Sequence, residues 1–172
     1  MDDFSKQKII WGEISDKPKF TLDKNGRYFL SNKAFLLSGE HLHYLLAFLN
    51  SRLCEYFFSQ IATTTGVGTV QWLKYKVETL PVPCIDLNIE KSFIKAVDYI
   101  IELKSNGSDI STIDNKLNNM IYNIFSLNSE EIKYIENHTS KAQICSTSEK
   151  SSWYRLKIRL FTYDVNSSAC LY

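Results

Sequence analysis

The sequence predicts an α+β fold: a small antiparallel or mixed sheet crossed by one long helix over about residues 40–60, followed by a C-terminal segment of three helices. Three observations predict it. Short β-rich runs separated by turn formers fill the first forty positions. From Leu42, apolar residues recur at steps of three and four. From Asn88 the same helical period returns three times, each time closed by a polar or glycine-bearing break. The expected organisation is a β-rich core with its packed helix (1–86), a helical continuation of the same domain (87–137), and a linker with an extra strand (138–172).

Each element has a local reason. Lys8–Ile14 and Lys19–Leu22 are β-rich and flank the turn-prone Ser15-Asp16-Lys17-Pro18. Asn25-Gly26 tolerates positive φ and suits a tight hairpin, after which Tyr28–Leu30 and Ala34–Leu37 continue the meander. Leu42, Leu45, Leu46, Leu49, Leu53, Tyr56, Phe57 and Ile61 share one helical face, with Ser38 or Gly39 as cap. The loop Thr63–Thr69 stops that helix; Val70–Lys76 and Val77–Leu80 return to strand-like composition, and Pro81-Val82-Pro83 closes the block. Three amphipathic helices follow, the second capped by Ser111 and the third by Asn128. Beyond a Ser-rich linker, Tyr154, Leu156, Ile158 and Leu160 alternate with Arg155, Lys157 and Arg159; this period of two fits either a strand added to a sheet edge or a poorly ordered tail.

Composition bounds the function. The 172 residues are 44% hydrophobic and 13% aromatic, enough for a sizeable core and too apolar for disorder. No apolar run approaches the roughly 18 residues of a membrane span, and the acidic start differs from a signal peptide. Four widely spaced cysteines exclude a disulfide framework or a four-thiolate zinc site, so a soluble, cytoplasmic protein is expected. Twenty basic and nineteen acidic residues leave a net charge of +1. Any nucleic-acid contact must therefore come from a local surface.

Catalytic signals are weak. His41 and His43 are spaced to point apart on a helix, and His138 falls in the expected linker. Asp86, Glu102 and Lys104 match part of a nuclease pattern but read better as solvated helical charges. Gly66-Val67-Gly68 is too short for a dinucleotide or phosphate-binding loop. The cluster that stands out is Thr63, Thr64, Thr65, Gly66, Gly68, Gln71, Trp72, Lys74, Tyr75 and Lys76. Hydroxyls and open backbone amides bond phosphates and base edges, Gln can pair with adenine, and Lys neutralises phosphate. Trp72 could stack on a base but reads more naturally as core.

The run Thr63 to Lys74, followed by Val77-Glu78-Thr79-Leu80-Pro81-Val82-Pro83, resembles the TaqI-like C-terminal specificity domain of adenine-specific DNA methyltransferases, including fused type IIG restriction–modification enzymes. Lys8–Ser15, Asn32–Phe35, Tyr44–Leu53 and Ile121–Ile132 extend the resemblance over about residues 6–137. It implies a DNA target-recognition module that binds duplex DNA. A methyltransferase catalytic domain, in cis or in trans, would carry the S-adenosylmethionine and the Asn/Asp-Pro-Pro-Tyr/Phe chemistry. No such motif and no cofactor is expected in this chain, nor a metal. The resemblance makes Thr63, Thr64, Thr65, Gly66, Gly68, Gln71 and Lys74 the expected DNA contacts; Lys33, Arg27 and Lys76 are added as phosphate contacts on physical grounds. A fragment of a longer enzyme and a split specificity subunit both fit. The alternative function is a protein-interaction module that docks on a separate methyltransferase subunit through helices 88–137.

Overall fold

A computed structural model describes residues 3–65 and 68–139. The class is the expected α+β: among the described residues there are six helices and two antiparallel sheets of three strands each. The first sheet is built on β1 (Lys8–Gly12), which pairs on one side with β3 (Thr21–Asp23) and on the other with β4 (Ala34–Ser38). The second joins β2 (Ile14–Ser15), β6 (Val70–Gln71) and β5 (Thr63–Thr64) in that order. The run Lys8–Ile14 thus serves two sheets. After Gly12 pairs with Ala34, Glu13 makes the last bond on the first sheet's side, its N–H donating to the Lys33 carbonyl, and its own carbonyl accepts the Trp72 N–H.

The expected Asn25-Gly26 hairpin is not formed between neighbouring strands. β3 and β4 lie on opposite sides of β1, and Tyr28–Leu30 is not a strand. The reason is Asp23. Its carboxylate accepts the backbone N–H groups of Asn25, Arg27 and Tyr28, which winds the chain into a compact loop instead of a ladder. Gly26 is required there: at φ 61 a Cβ would stand 2.1 Å from the Ser5 carbonyl oxygen. The same carboxylate receives the Lys8 ammonium at 2.6 Å, both side chains being buried.

The helix expected over 40–60 is two helices, α1 (Leu42–Leu49) and α2 (Arg52–Ile61). Asn50 ends α1 because its side chain is engaged elsewhere: its Oδ1 accepts the Phe20 N–H and its Nδ2 donates to the Phe20 carbonyl, both at 3.0 Å. Ser51 then starts α2, in extended backbone, by accepting the Cys54 N–H. The start of α1 also differs from expectation. His41, not Ser38 or Gly39, holds the capping position, with a left-handed φ of 56 and no side-chain cap bond. The strand expected over Val70–Lys76 is likewise shortened to two residues, since Lys74–Val77 winds into the short helix α3.

The three C-terminal helices are α4 (Leu87–Ser105), α5 (Ser111–Ile124) and α6 (Ser129–Thr139). Asp86 caps α4 by accepting the Asn88 and Ile89 N–H groups. For α5 the first-turn acceptor is Asp109 rather than Ser111, whose N–H and hydroxyl both donate to that carboxylate. Asn128 and Glu131 form a reciprocal capping box at the start of α6. That helix runs through His138 and Thr139, which replaces the expected start of a linker; the rest of that linker and the strand expected at 154–160 lie outside the described residues.

One apolar core joins these elements: Ile9, Phe48, Leu53, Phe93, Ile121 and Ile135 are each fully buried and come from β1, α1, α2, α4, α5 and α6 in turn. Polar ties reinforce it. Arg52 reaches Glu136 at 2.9 Å and Asn115 at 2.7 Å, and the Tyr122 hydroxyl donates to the same Glu136 carboxylate. The Lys24–Asp98 and His43–Asp98 pairs hold α4 against the β3 turn and α1.

Candidate nucleic-acid interface

The Thr63–Thr69 cluster folds as the tip of a β-hairpin. Backbone pairing sets Thr63 opposite Gln71 and Thr64 opposite Val70. The Thr65 N–H donates to the Thr69 carbonyl at 3.0 Å, and the two threonine hydroxyls meet across the turn. Gly68 sits at φ 78, a left-handed conformation that glycine takes without strain. Gly66 lies outside the described residues. Thr63, Thr64, Thr65 and Gly68 are all exposed, so the hairpin stands clear of the three C-terminal helices.

Strand parity gives this hairpin an inner and an outer face. Trp72 and Val70 point one way: Trp72 is 2% exposed and Val70 packs against the core. The Trp72 ring stacks on Phe58 at 3.8 Å with the planes 8° apart, meets Phe20 edge-on, and its carbonyl accepts the Trp11 Nε1–H at 2.9 Å. Trp72 is therefore a core anchor and not a plate for bases. Gln71, one residue before it, points to the opposite, outer face. Because paired residues share a face, Ile14, Gln71 and Thr63 form a single row across all three strands of the ribbon. Ile14 is 54% exposed.

The basic residues divide by position. Lys76 lies against the hairpin base, donating to the Ile61 carbonyl at 2.8 Å and to the Thr63 hydroxyl. Lys74, exposed on α3, stands 3.6 Å from Glu78, a solvent-screened pair that leaves its ammonium accessible. Tyr75 between them is 62% exposed. Lys33 is exposed, and its carbonyl bond to Glu13 puts it at the junction of the two sheets, beside the ribbon. Arg27 is not brought to this surface. Its N–H is held by Asp23, whose strand position pairs with Lys8, the far end of β1 from the ribbon. The hydrogen-bonded outer row is the feature that sequence reasoning did not reach: Ile14 reads there as one more strand residue, since two-residue pairings leave no periodic signal.

The other chemical candidates separate. His41 Nδ1 lies 2.7 Å from a Glu90 carboxylate oxygen while His43 meets Asp98, so the two histidines serve different partners. His138 belongs to α6, its Nδ1 bonded to the Tyr134 carbonyl. Asp86 caps the start of α4, whereas Glu102 and Lys104 lie near its end, about 24 Å along the axis. No nuclease site can form from groups that far apart. Among the described residues, no group of three or more His, Cys, Asp and Glu could hold a metal, and no helix is long and apolar enough to cross a membrane.

Residues 2–82 match the family described as the TaqI-like C-terminal specificity domain. The resemblance named from the sequence thus holds for this segment, which contains both sheets, α1, α2, α3 and the whole hairpin. Such domains supply target recognition to restriction–modification enzymes. The match stops before α4, so helices α4 to α6 lie beyond it.

Proposed function

From the membership of residues 2–82 in the TaqI-like specificity family, we propose that the chain recognises duplex DNA for an N6-adenine methyltransferase, or a fused type IIG restriction–modification enzyme, whose catalytic domain acts in cis or in trans. The observation that carries this reading is the β5–β6 hairpin, whose Thr63, Thr64, Thr65 and Gly68 are exposed, anchored from beneath by Trp72 and flanked by Lys74, Lys76 and Lys33. A rigid scaffold presenting an adaptable polar tip suits sequence reading, because the scaffold fixes register while the tip supplies donors and acceptors. S-adenosylmethionine and the methyl transfer belong to the catalytic domain. In this division of labour Lys74 and Lys33 contact phosphate, Lys76 holds the hairpin base while adding local positive charge, and Gln71 meets a base edge.

Fluorescence anisotropy of the full chain on duplex DNA across salt concentrations tests the reading. Binding should weaken linearly on a log–log plot as salt rises. Lys74→Ala should lower affinity for all duplexes alike and reduce the salt slope by about 1, whereas Gln71→Ala should change preference among sequences and leave the slope unaltered. Affinity indifferent to salt would refute contact with the phosphate backbone.

A second reading, docking on a separate methyltransferase subunit, is favoured by one observation. The first turn of α4 exposes Leu87 (70%) and Ile89, and Ile89 borders a hollow of about 290 Å³ that Met120 and Ile124 also line. Leu87→Asp should abolish co-elution with the catalytic subunit and leave duplex affinity unchanged; persistence of co-elution would remove α4 from any interface.

A further inference from the structure

We infer that Ile14 is a specificity-determining residue, which seats its side chain against the C5-methyl group of a thymine beside the base pair that Gln71 reads. This rests on the DNA-recognition reading above and adds to it a residue and a target group.

The geometry starts from register. Ile14 pairs directly with Gln71, and Gln71 directly with Thr63, so the three side chains stand side by side on one face. Cβ atoms of directly opposed residues are about 4.5–5.5 Å apart, a span of one to two base steps at about 3.4 Å per step. The next row, Ser15, Val70 and Thr64, belongs to the other face, and its central residue Val70 packs inward. An apolar side chain recruited only for stability has that inward slot available on the same ribbon. Ile14 instead stands on the outer face, 54% exposed and next to an amide.

The row also has a chemical polarity. At one end is a branched aliphatic group, in the middle a carboxamide, and at the far end a hydroxyl bonded to the Lys76 ammonium. The major groove of B-DNA admits a narrow β-ribbon and offers matching groups. A glutamine pairs bidentately with adenine N6 and N7, and the thymine C5-methyl is the one apolar feature of the groove floor. The hydroxyl–ammonium end suits a neighbouring phosphate. An aliphatic side chain held one strand away from a glutamine therefore reads thymine against cytosine, and also against uracil, by the methyl alone. The orientation is fixed as well, since the row can lie in the groove with Ile14 on only one side of Gln71.

Deoxyuridine isolates that methyl. The preferred duplex of the full chain is first selected from a library with a randomised centre. Each thymine in it is then replaced in turn by deoxyuridine, and competition binding is measured for the wild type, Ile14→Val and Ile14→Ala. At one position the wild type should lose about fourfold in affinity, the effect of one buried methyl, and Ile14→Val should keep most of that loss. Ile14→Ala should bind the thymine and deoxyuridine duplexes equally while retaining its salt slope. The inference is overturned if the wild type is indifferent to every replacement, or if Ile14→Ala shows the same thymine preference as the wild type; in both cases duplex binding persists and the recognition reading stands. Absence of duplex binding by the wild type at low salt overturns both.

Discussion

Replacing Asp23 by Ala should destabilise the protein by about 3–5 kcal/mol, because it strands the Lys8 ammonium in the core without a counter-charge. Three backbone N–H groups of the following loop lose their acceptor in the same step. With a total stability of order 5–15 kcal/mol for a domain, the melting temperature should fall by about 10 °C or more. Calorimetry of the single variant checks this. The double variant Lys8→Met, Asp23→Ala should recover part of the loss, since it leaves no buried charge while the loop amides still lack their acceptor; no recovery would show that the loop amides, and not the ion pair, carry the effect.

The same carboxylate sets a pH limit. Burial pushes the Asp23 carboxyl upward, but the Lys8 ammonium and the N–H groups of Tyr28 and Arg27 outweigh it and hold it well below the usual carboxylate range. A depressed folded-state pKa contributes stability that is complete above the unfolded value of about 4 and is lost as pH falls below it. Urea midpoints should therefore drop steeply between about pH 4 and pH 2 in the wild type. The Lys8→Met, Asp23→Ala variant should lack that part of the slope.

Phe58→Ala should cost about 3–5 kcal/mol, a value typical of a fully buried aromatic truncated in a close-packed core. Its effect on recognition should exceed that of other core truncations. Phe58 is the plate on which Trp72 stacks, and Trp72 fixes which face of the ribbon Gln71 presents. At a temperature where the variant remains folded, discrimination between duplexes should decline, while the salt-dependent, sequence-independent part of binding, carried by surface lysines, persists. Leu53→Ala is the control: Leu53 is equally buried, in α2 but away from the stack, and it should lower stability with discrimination intact.

Local patterning made much of this molecule legible. The apolar stripes of α5 and α6, that of α4 from Phe93 onward (its expected first member, Ile89, is exposed), the burial of Leu49, Leu53 and Tyr56, and the inward Trp72 all follow from periodicity and side-chain size, which act over a few residues. The specificity-domain resemblance was legible for the same reason: short ordered blocks survive in the chain itself, and residues 2–82 carry them. The hairpin's threonines and glycine were recognisable as an exposed turn from composition.

What escaped were decisions made by partners distant in sequence. The expected apolar stripe runs unbroken from Leu42 to Ile61, and nothing within it announces the break at Asn50, which comes from the Phe20 backbone thirty positions earlier. Asp23 looks like an ordinary turn residue until Lys8 is found beneath it, and Asn25-Gly26 looks like a hairpin until that carboxylate takes the loop's amides. Lys33 and Arg27 carry the same charge six residues apart, yet β1 separates them because one follows the Asp23 end and the other precedes the Gly12 end. The amino-acid sequence by itself determined the three C-terminal helices, most of the core and the specificity-domain match of residues 2–82, since those depend on spacing and on motifs. Only the tertiary structure decided that Ile14 joins the outer row of the ribbon, because the register of β2 on β6 is fixed by backbone pairing between residues 55 to 57 positions apart, and no local preference encodes it.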